Sequence, residues 1–202
     1  MLRLSVTDLD QVAYFMNTDD MDVSDLVRRL RHEETPTDVL LSGRAFHKVL
    51  ERAQAGEDIA IAEQDGYVFD FSQLDTELSL PPIREKFVSK TLVVDGVTVE
   101  LRGKIDGDDG ITVFDHKAAS RVDAEKYAGD YQWRAYLMMM NRERFQHNVF
   151  VRKFDGNTIT MREFHPVVNY AYQGMERDVR DGISEYLRIA REYLPEKMEQ
   201  SQ

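Results

Sequence analysis

The sequence predicts a mixed α/β domain in which a central β-sheet is flanked by helices. Helical periodicity of the apolar residues marks the first 54 residues and returns after residue 123, whereas the middle of the chain has strand-type patterns separated by turns. The length of 202 residues suits one domain, and a hydrophobic content of 42% is enough for a buried core.

Three helices are predicted before the first strand of the sequence pattern. Ser5 and Thr7 are candidate N-caps of the first helix, because a hydroxyl group can accept a hydrogen bond from a free backbone N–H. The second helix is expected over about 22–32 and the third over about 38–54, where apolar residues recur at helical spacing. His47 lies inside the third helix.

The middle of the chain predicts strands joined by tight turns. Residues 66–71 form the first of them. Asp95-Gly96 is a hairpin-turn dipeptide, and the strand that returns from it covers 97–106. A second turn over 107–110 leads into a strand over 111–117, so we expect an antiparallel meander.

The last third of the chain predicts a helix, a hairpin and a final helix. The first helix is expected over about 123–143, the two strands of the hairpin over 145–154 and 158–164, and the final helix over about 167–193. This order of elements is typical of a mixed sheet with helices around it.

We therefore expect a single domain over residues 1–202. Within it we expect a helical N-terminal extension over 1–35, a core over 36–166, and a C-terminal helix with a polar tail over 167–202.

The composition limits the kinds of site that the chain can hold. There are no cysteines, which excludes disulfides, thiolate zinc sites and iron–sulfur clusters. No segment approaches the ~20 apolar residues of a membrane span, and the N-terminus lacks a signal-peptide pattern. We therefore expect a soluble, cytoplasmic protein without a membrane partner.

The formal net charge of −11 argues against a protein that coats nucleic acid, but it is compatible with a local basic channel. Two basic groups are candidates to face DNA phosphates, although both could equally face solvent. They are the stretch 28–32 and the set Arg142, Arg144, Arg152 and Lys153.

The densest group of candidate catalytic residues lies on the last two strands of the meander. Residues i and i+2 of a strand share a face, so Asp115 and Lys117 should project together. Asp106 ends the neighbouring strand, but its register against Asp115 stays open, because a bulge in the turn would shift it. Asp108 and Asp109 are expected to be turn residues.

Two carboxylates and a lysine are groups that metal-dependent phosphodiester hydrolysis needs. Carboxylate oxygens bind hard divalent cations, which lower the pKa of a bound water and neutralise charge on the phosphate. A lysine can orient or deprotonate the water and stabilise the phosphate in the transition state. Asp106, Asp115 and Lys117 are therefore candidate catalytic residues, with one or two divalent cations, usually Mg²⁺.

With residues elsewhere in the chain, this pattern resembles the PD-(D/E)XK nuclease superfamily, in particular its RecB-like and lambda-exonuclease-like branch. Asp106 followed by Asp115-His116-Lys117 is similar to the D…(D/E)-x-K core, and Gly103-Lys-Ile-Asp106 is similar to the G-x-(I/V)-D of that branch. The branch also has a helical histidine upstream and a Q-x-x-x-Y helix motif downstream. They correspond to His47 and to Gln132-Trp-Arg-Ala-Tyr136.

The resemblance implies a restriction-endonuclease-like core and a set of site residues. By this resemblance the metal ligands are His47, Asp106, Asp115, the backbone carbonyl of His116 and, as an additional candidate, Glu85. The catalytic lysine is Lys117, and the residues that line the site or contact DNA are Gln132 and Tyr136. The chain departs from the branch in having no proline before Asp106 and in lacking the iron–sulfur cysteines of some members.

The function implied by the resemblance is that of a Mg²⁺- or Mn²⁺-dependent deoxyribonuclease. An exonuclease that acts on linear DNA in recombination, repair or phage DNA processing is the leading hypothesis. A homo-oligomer and a recombination partner protein are both left open. Two alternatives are an inactive nuclease-fold module that binds DNA or serves in assembly, and an RNA-directed nuclease.

Each of these residues also has a structural explanation when it is taken alone. Asp106 precedes Gly107 and could be a turn residue, and His47 could be a core or surface residue of its helix. Gln132 and Tyr136 could be the surface and the core of theirs. Their joint occurrence, in order and on the expected elements, favours the nuclease hypothesis.

Overall fold

The structure is a computed structural model that describes residues 1–53, 59–75 and 80–199. Residue 54 of the expected third helix and residues 200–202 of the expected tail lie outside the described residues. The described strands are β1 (Leu2–Ser5), β2 (Ile61–Gln64), β3 (Tyr67–Asp70), β4 (Ile83–Val94), β5 (Val97–Asp108), β6 (Thr112–Ala119), β7 (Arg144–Asp155) and β8 (Thr158–Tyr170). The described helices are α1 (Val6–Asn17), α2 (Val23–Leu30), α3 (Asp38–Arg52), α4 (Ala124–Gly129), α5 (Tyr131–Met140), α6 (Met175–Tyr193) and α7 (Pro195–Glu199).

The described strands belong to one mixed sheet. Its order is β1-β5-β6-β7-β8-β3-β2, and β4 pairs antiparallel with β5. Strands β4, β5 and β6 form the expected antiparallel meander, whereas parallel pairings join β1 to β5, β6 to β7 and β3 to β8. The predicted class, mixed α/β with a central mixed sheet flanked by helices, is confirmed.

Apolar side chains cover both faces of this sheet. Phe145 and Phe150 are five residues apart on β7, so their side chains point to opposite faces. Phe145 belongs to a core cluster shared with α1, α2, α5 and α6, whereas Phe150 belongs to a second cluster shared with α3. The sheet therefore lies between two helical layers, and α3 and α5 belong to different layers.

The helices of the C-terminal half differ from expectation. The helix expected over 123–143 is divided at Asp130, whose backbone is extended, into α4 and α5. The final helix begins at Met175 and not near residue 167, because β8 continues to Tyr170 in antiparallel pairing with β7.

The N-terminal segment, expected to be helical, also contributes a strand. Leu2–Ser5 forms β1 and pairs parallel with β5, between Leu2–Val99 and Ser5–Arg102. The predicted cap at Ser5 is confirmed, because its Oγ accepts a hydrogen bond of 3.0 Å from the backbone N–H of Asp8. No helix in the described ranges is long and apolar enough to cross a membrane.

Phe46→Ala should strongly destabilise the fold. Phe46 is fully buried among the rings of Phe69, Phe71 and Phe150, so truncation leaves a cavity in the α3 cluster. We expect the free energy of unfolding in urea to fall by about 3–5 kcal/mol. Phe87→Ala is the matched control, because Phe87 is 80% exposed and its loss should cost less than about 0.5 kcal/mol. Equal losses would contradict this assignment of the core.

Candidate active site

A cleft of about 910 Å³ brings together most of the residues that the sequence singled out. Its walls come from α3, β5, β6 and α5, with contributions from the N-terminus of α1 and from one residue each of β4 and β7. The predicted residues that line it are His47, Asp106, Asp115, Lys117, Gln132 and Tyr136.

The cleft opens where β5 and β6 separate. The two strands are paired at Gly107–Phe114 and at Asp108–Val113. Asp106 lies one residue beyond the paired positions, so its side chain enters the gap between the strands. The turn expected over 107–110 is shorter than predicted, because Gly107 and Asp108 still belong to β5. The expected role of Asp109 as a turn residue is confirmed, since its Oδ1 accepts a 2.8 Å hydrogen bond from the backbone N–H of Ile111, whereas Asp108 is a buried strand residue whose Oδ1 accepts from the N–H of Gly110.

Asp106 is fixed by one carboxylate oxygen and offers the other to the cleft. Its Oδ2 accepts a hydrogen bond of 2.6 Å from the backbone N–H of His116. Its Oδ1 lies 3.2 Å from Nδ1 of His47, which α3 brings over the sheet. Burial opposes a positive charge on His47, but the hydrogen bond and the charge of Asp106 outweigh it and raise the pKa of His47.

Glu85 joins these two residues from β4. One ligand atom each from His47, Glu85 and Asp106 lie within 4.8 Å of one another. The residues on either side of Glu85 are paired with β5, but Glu85 itself is not. Its φ of 54° lies in the left-handed region, which is unfavourable for a residue with a Cβ. Its carboxylate forms an ion pair with Lys104, and burial raises the pKa of Glu85.

Asp115 and Lys117 form a second, adjacent group. Lys117 Nζ lies 2.9 Å from Asp115 Oδ2 and donates to Gln132 Oε1 at 2.9 Å. Gln132 Nε2 donates to Asp115 Oδ1 at 2.9 Å, and His147 Nδ1 lies 3.3 Å from Asp115 Oδ2. The structure therefore places Asp115 beside Lys117 and outside the His47–Glu85–Asp106 group.

Both members of the Asp115–Lys117 pair are held in their charged forms. Burial opposes the charge on Asp115, but Lys117 and His147 outweigh it and lower the pKa of this carboxyl. Burial likewise opposes the charge on Lys117, but the charge and hydrogen bond of Asp115 raise the pKa of the amine.

Helix α5 presents Gln132 and Tyr136 on one face. Its N-terminus is capped from α1, because Asp10 Oδ1 accepts hydrogen bonds from the backbone N–H groups of Tyr131 (2.7 Å) and Gln132 (3.1 Å). One turn later, the hydroxyl of Tyr136 donates to the backbone carbonyl of Lys104 at 2.9 Å. The Tyr136 ring lies against Gly103, where a side chain would collide with it.

Of the two predicted basic groups, one contributes a residue to the cleft and the other does not. Arg152 lines the cleft. In the stretch 28–32, Arg28 pairs with Asp25 and Arg31 pairs with Glu196. These two side chains therefore have carboxylate partners within the protein.

The sequence analysis missed several contributors to the site, among them the cleft-lining Arg44, Arg102 and Phe87. Three others, His147, Asp10 and Lys104, position the predicted residues. His147 is brought to Asp115 by the parallel register of β7 on β6, which pairs these two residues. Asp10 caps α5, which lies far from it along the chain, and Lys104 forms an ion pair with Glu85. Residue spacing carries no signal for the first two, because strand register and helix docking are long-range properties. Lys104 lies inside the Gly103-to-Asp106 motif, which is a signal that could have been used.

Comparisons with known proteins indicate a shared fold. No protein-family model matches the chain, and no curated protein matches its sequence. The structure is similar to the crystal structure of SSO0001, with a TM-score of 0.53 and 13% identity, over 93% of this chain and 76% of that one.

The structure is also similar to an alkaline exonuclease from Laribacter hongkongensis, LHK-Exo. The TM-score is 0.48 at 9% identity, over 98% of this chain and 93% of that one. For LHK-Exo in complex with dAMP, the TM-score is 0.45 at 9% identity, over 98% of this chain and 92% of that one.

Gly103→Ala should destabilise the packing of α5 on β5. The added Cβ would lie 2.6 Å from both Cε1 and the hydroxyl oxygen of Tyr136, so the buried ring must move. We expect a loss of about 1–3 kcal/mol in the free energy of unfolding in urea. Gly129→Ala is the control, since no atom lies within 4 Å of its added Cβ. An unchanged stability for Gly103→Ala would show that Tyr136 is not packed in this way.

Proposed function

We propose that this chain is a metal-dependent nuclease that hydrolyses phosphodiester bonds in DNA, and that it is an exonuclease. The observation that carries the proposal is a His47–Glu85–Asp106 group whose His47 and Asp106 line the same cleft as a lysine held by a carboxylate. The restriction to exonucleases of linear DNA rests on the resemblance of the motifs to the RecB-like and lambda-exonuclease-like branch.

The donor atoms of the His47–Glu85–Asp106 group fit a divalent cation. An imidazole nitrogen and two carboxylate oxygens lie within 4.8 Å of one another, and this oxygen-rich set suits Mg²⁺ or Mn²⁺. Asp115 and the backbone carbonyl of His116 are further candidates for the same or a second ion. When bound, such an ion lowers the pKa of a coordinated water and neutralises charge on the phosphate.

Lys117 supplies a fixed positive charge beside this group. Its ammonium has three N–H donors, and the Asp115 carboxylate and Gln132 Oε1 accept from two directions. A third direction is left for a phosphate oxygen or for the attacking water. Because Asp115 and Gln132 fix the ammonium beforehand, Lys117 can stabilise charge on the reacting phosphate without reorganising.

Further cations around the cleft suit a polyanionic substrate. Arg44, Arg102, Lys104 and Arg152 line it, although the formal net charge of the chain is −11. Cations gathered in a cleft attract phosphates locally, even when the protein as a whole is acidic. We propose that these residues bind the phosphates that flank the cleaved bond.

Cleavage assays with Lys117→Ala test the proposed chemistry. Wild-type protein should degrade linear DNA with Mg²⁺ or Mn²⁺, leave closed-circular DNA intact, and lose activity with chelator. Lys117→Ala should lower kcat by about 100- to 1,000-fold, because the fixed charge beside the phosphate is lost. Lys48→Ala is the control, since Lys48 pairs with Asp65 at the surface and does not line the cleft.

Three results of these assays would count against the proposal. Undiminished cleavage by Lys117→Ala would refute the role of the lysine. Preferential cleavage of RNA would favour the RNA-directed nuclease, and DNA binding without cleavage in either metal would favour the inactive module. Circular dichroism of each variant separates a loss of activity from a loss of fold.

Mn²⁺ titration tests the ligand set separately from catalysis. Asp106→Asn keeps an oxygen that can accept from the His116 N–H but removes the negative charge, so Mn²⁺ affinity measured by calorimetry should fall. The loss should be at least the ~10–100-fold that is typical of changes around a metal site. Glu85→Gln should weaken binding too if Glu85 is a ligand, whereas the exposed Glu163→Gln serves as control. An Mn²⁺ affinity of Asp106→Asn equal to that of wild type would refute the assignment of Asp106 as a metal ligand.

A further inference from the structure

Among the exposed apolar side chains of the described residues, Phe87 is the aromatic one that lines the cleft, and the exposed Val39 and Leu40 line it as well. Its side chain is 80% exposed and takes no part in either described core cluster. Val93, on the same strand, and Ile111 are also largely exposed, at 62% and 73%, but neither lines the cleft. An exposed phenyl ring adds little to folding, and its place in a cleft together with the exposed Val39 and Leu40 points to a ligand.

The surroundings of Phe87 combine an aromatic face with positive charge. Strand pairing sets Phe87 opposite Lys104, and the ammonium of Lys104 lies 5.8 Å from the centroid of the ring. Arg102 lines the cleft from the same strand as Lys104, and Arg44 lines it from α3. Cations that bind a phosphate backbone beside a ring that stacks on a base are the two elements of single-strand recognition.

We propose that Phe87 is a stacking platform for a base of single-stranded DNA, and that the cleft takes a strand that is unpaired at this point. In a duplex the faces of each internal base are covered by its neighbours, so the ring can stack only on an unpaired or terminal base. The apolar side chains of Val39 and Leu40 also line the cleft and give the base a second apolar contact. This inference rests on the proposed function and names the strand state of its substrate.

Fluorescence of a Phe87→Trp variant tests stacking directly. The native Trp133 is 4% exposed, so it should respond little to a ligand in the cleft. Oligo(dT), added with Ca²⁺ in place of Mg²⁺ to slow hydrolysis, should quench the new indole. Val93→Trp is the matched control on the same strand and should not be quenched. Equal quenching of the two variants, or quenching of neither, would overturn the proposal.

Affinity measurements separate stacking from phosphate binding. Phe87→Ala should weaken binding of oligo(dT) by about five- to a hundredfold, the range for one lost base–aromatic contact. The same substitution should leave the affinity for an abasic oligonucleotide of equal length unchanged. Equal losses for both strands would refute the stacking role, and tighter binding of oligo(U) than oligo(dT) would refute the assignment to DNA.

The two proposals fail in different ways. If wild-type protein cuts DNA and Phe87→Ala binds oligo(dT) as tightly as wild type, the proposed nuclease activity is supported and the stacking role of Phe87 is refuted. If the indole of Phe87→Trp is quenched by oligo(dT) but no DNA is cut by wild-type protein, the stacking role is supported and the proposed nuclease activity is refuted.

Discussion

The ion pair between the buried Asp115 and the half-buried Lys117 is the interaction on which the geometry of the cleft depends. A carboxylate that is 5% exposed is costly unless it is paired and hydrogen-bonded, and here Lys117, Gln132 and His147 all contact it. These partners come from β6, α5 and β7, so satisfying one charge fixes the relative positions of three elements. Asp106 depends on the same arrangement, because its carboxylate accepts from the backbone of β6.

Much of the fold was predictable because its signals are local. Turn dipeptides and alternating polarity predicted the meander, and helical periodicity with a hydroxyl cap predicted α1. For the site, strand geometry predicted that Asp115 and Lys117 project together, and the motifs predicted residues that the structure brings into one cleft. Their roles as ligands and catalysts stay predictions, because position alone does not establish chemistry.

What could not be predicted depends on contacts between distant parts of the chain. Strand β1 is too short to show a pattern, and its parallel partner lies far along the sequence. His147 reaches Asp115 only through the register of β7 on β6, and Asp10 caps a helix from another part of the chain. The left-handed backbone of Glu85 has no signature in the local sequence, because it arises where the pairing of β4 with β5 skips this residue.

The capping of α5 by Asp10 has a consequence for the order in which the molecule assembles. The cap joins α1 to α5, α1 also packs against α6, and β1 pairs with β5, so both ends of the chain close around the helix that carries Gln132. Contacts of such large sequence separation form late, because their loop-closure entropy must be offset first. The cleft should therefore be among the last parts of the molecule to mature during folding. Asp115 and Lys117 share strand β6, so the contact that waits for α5 to dock is the hydrogen bond from Lys117 to Gln132.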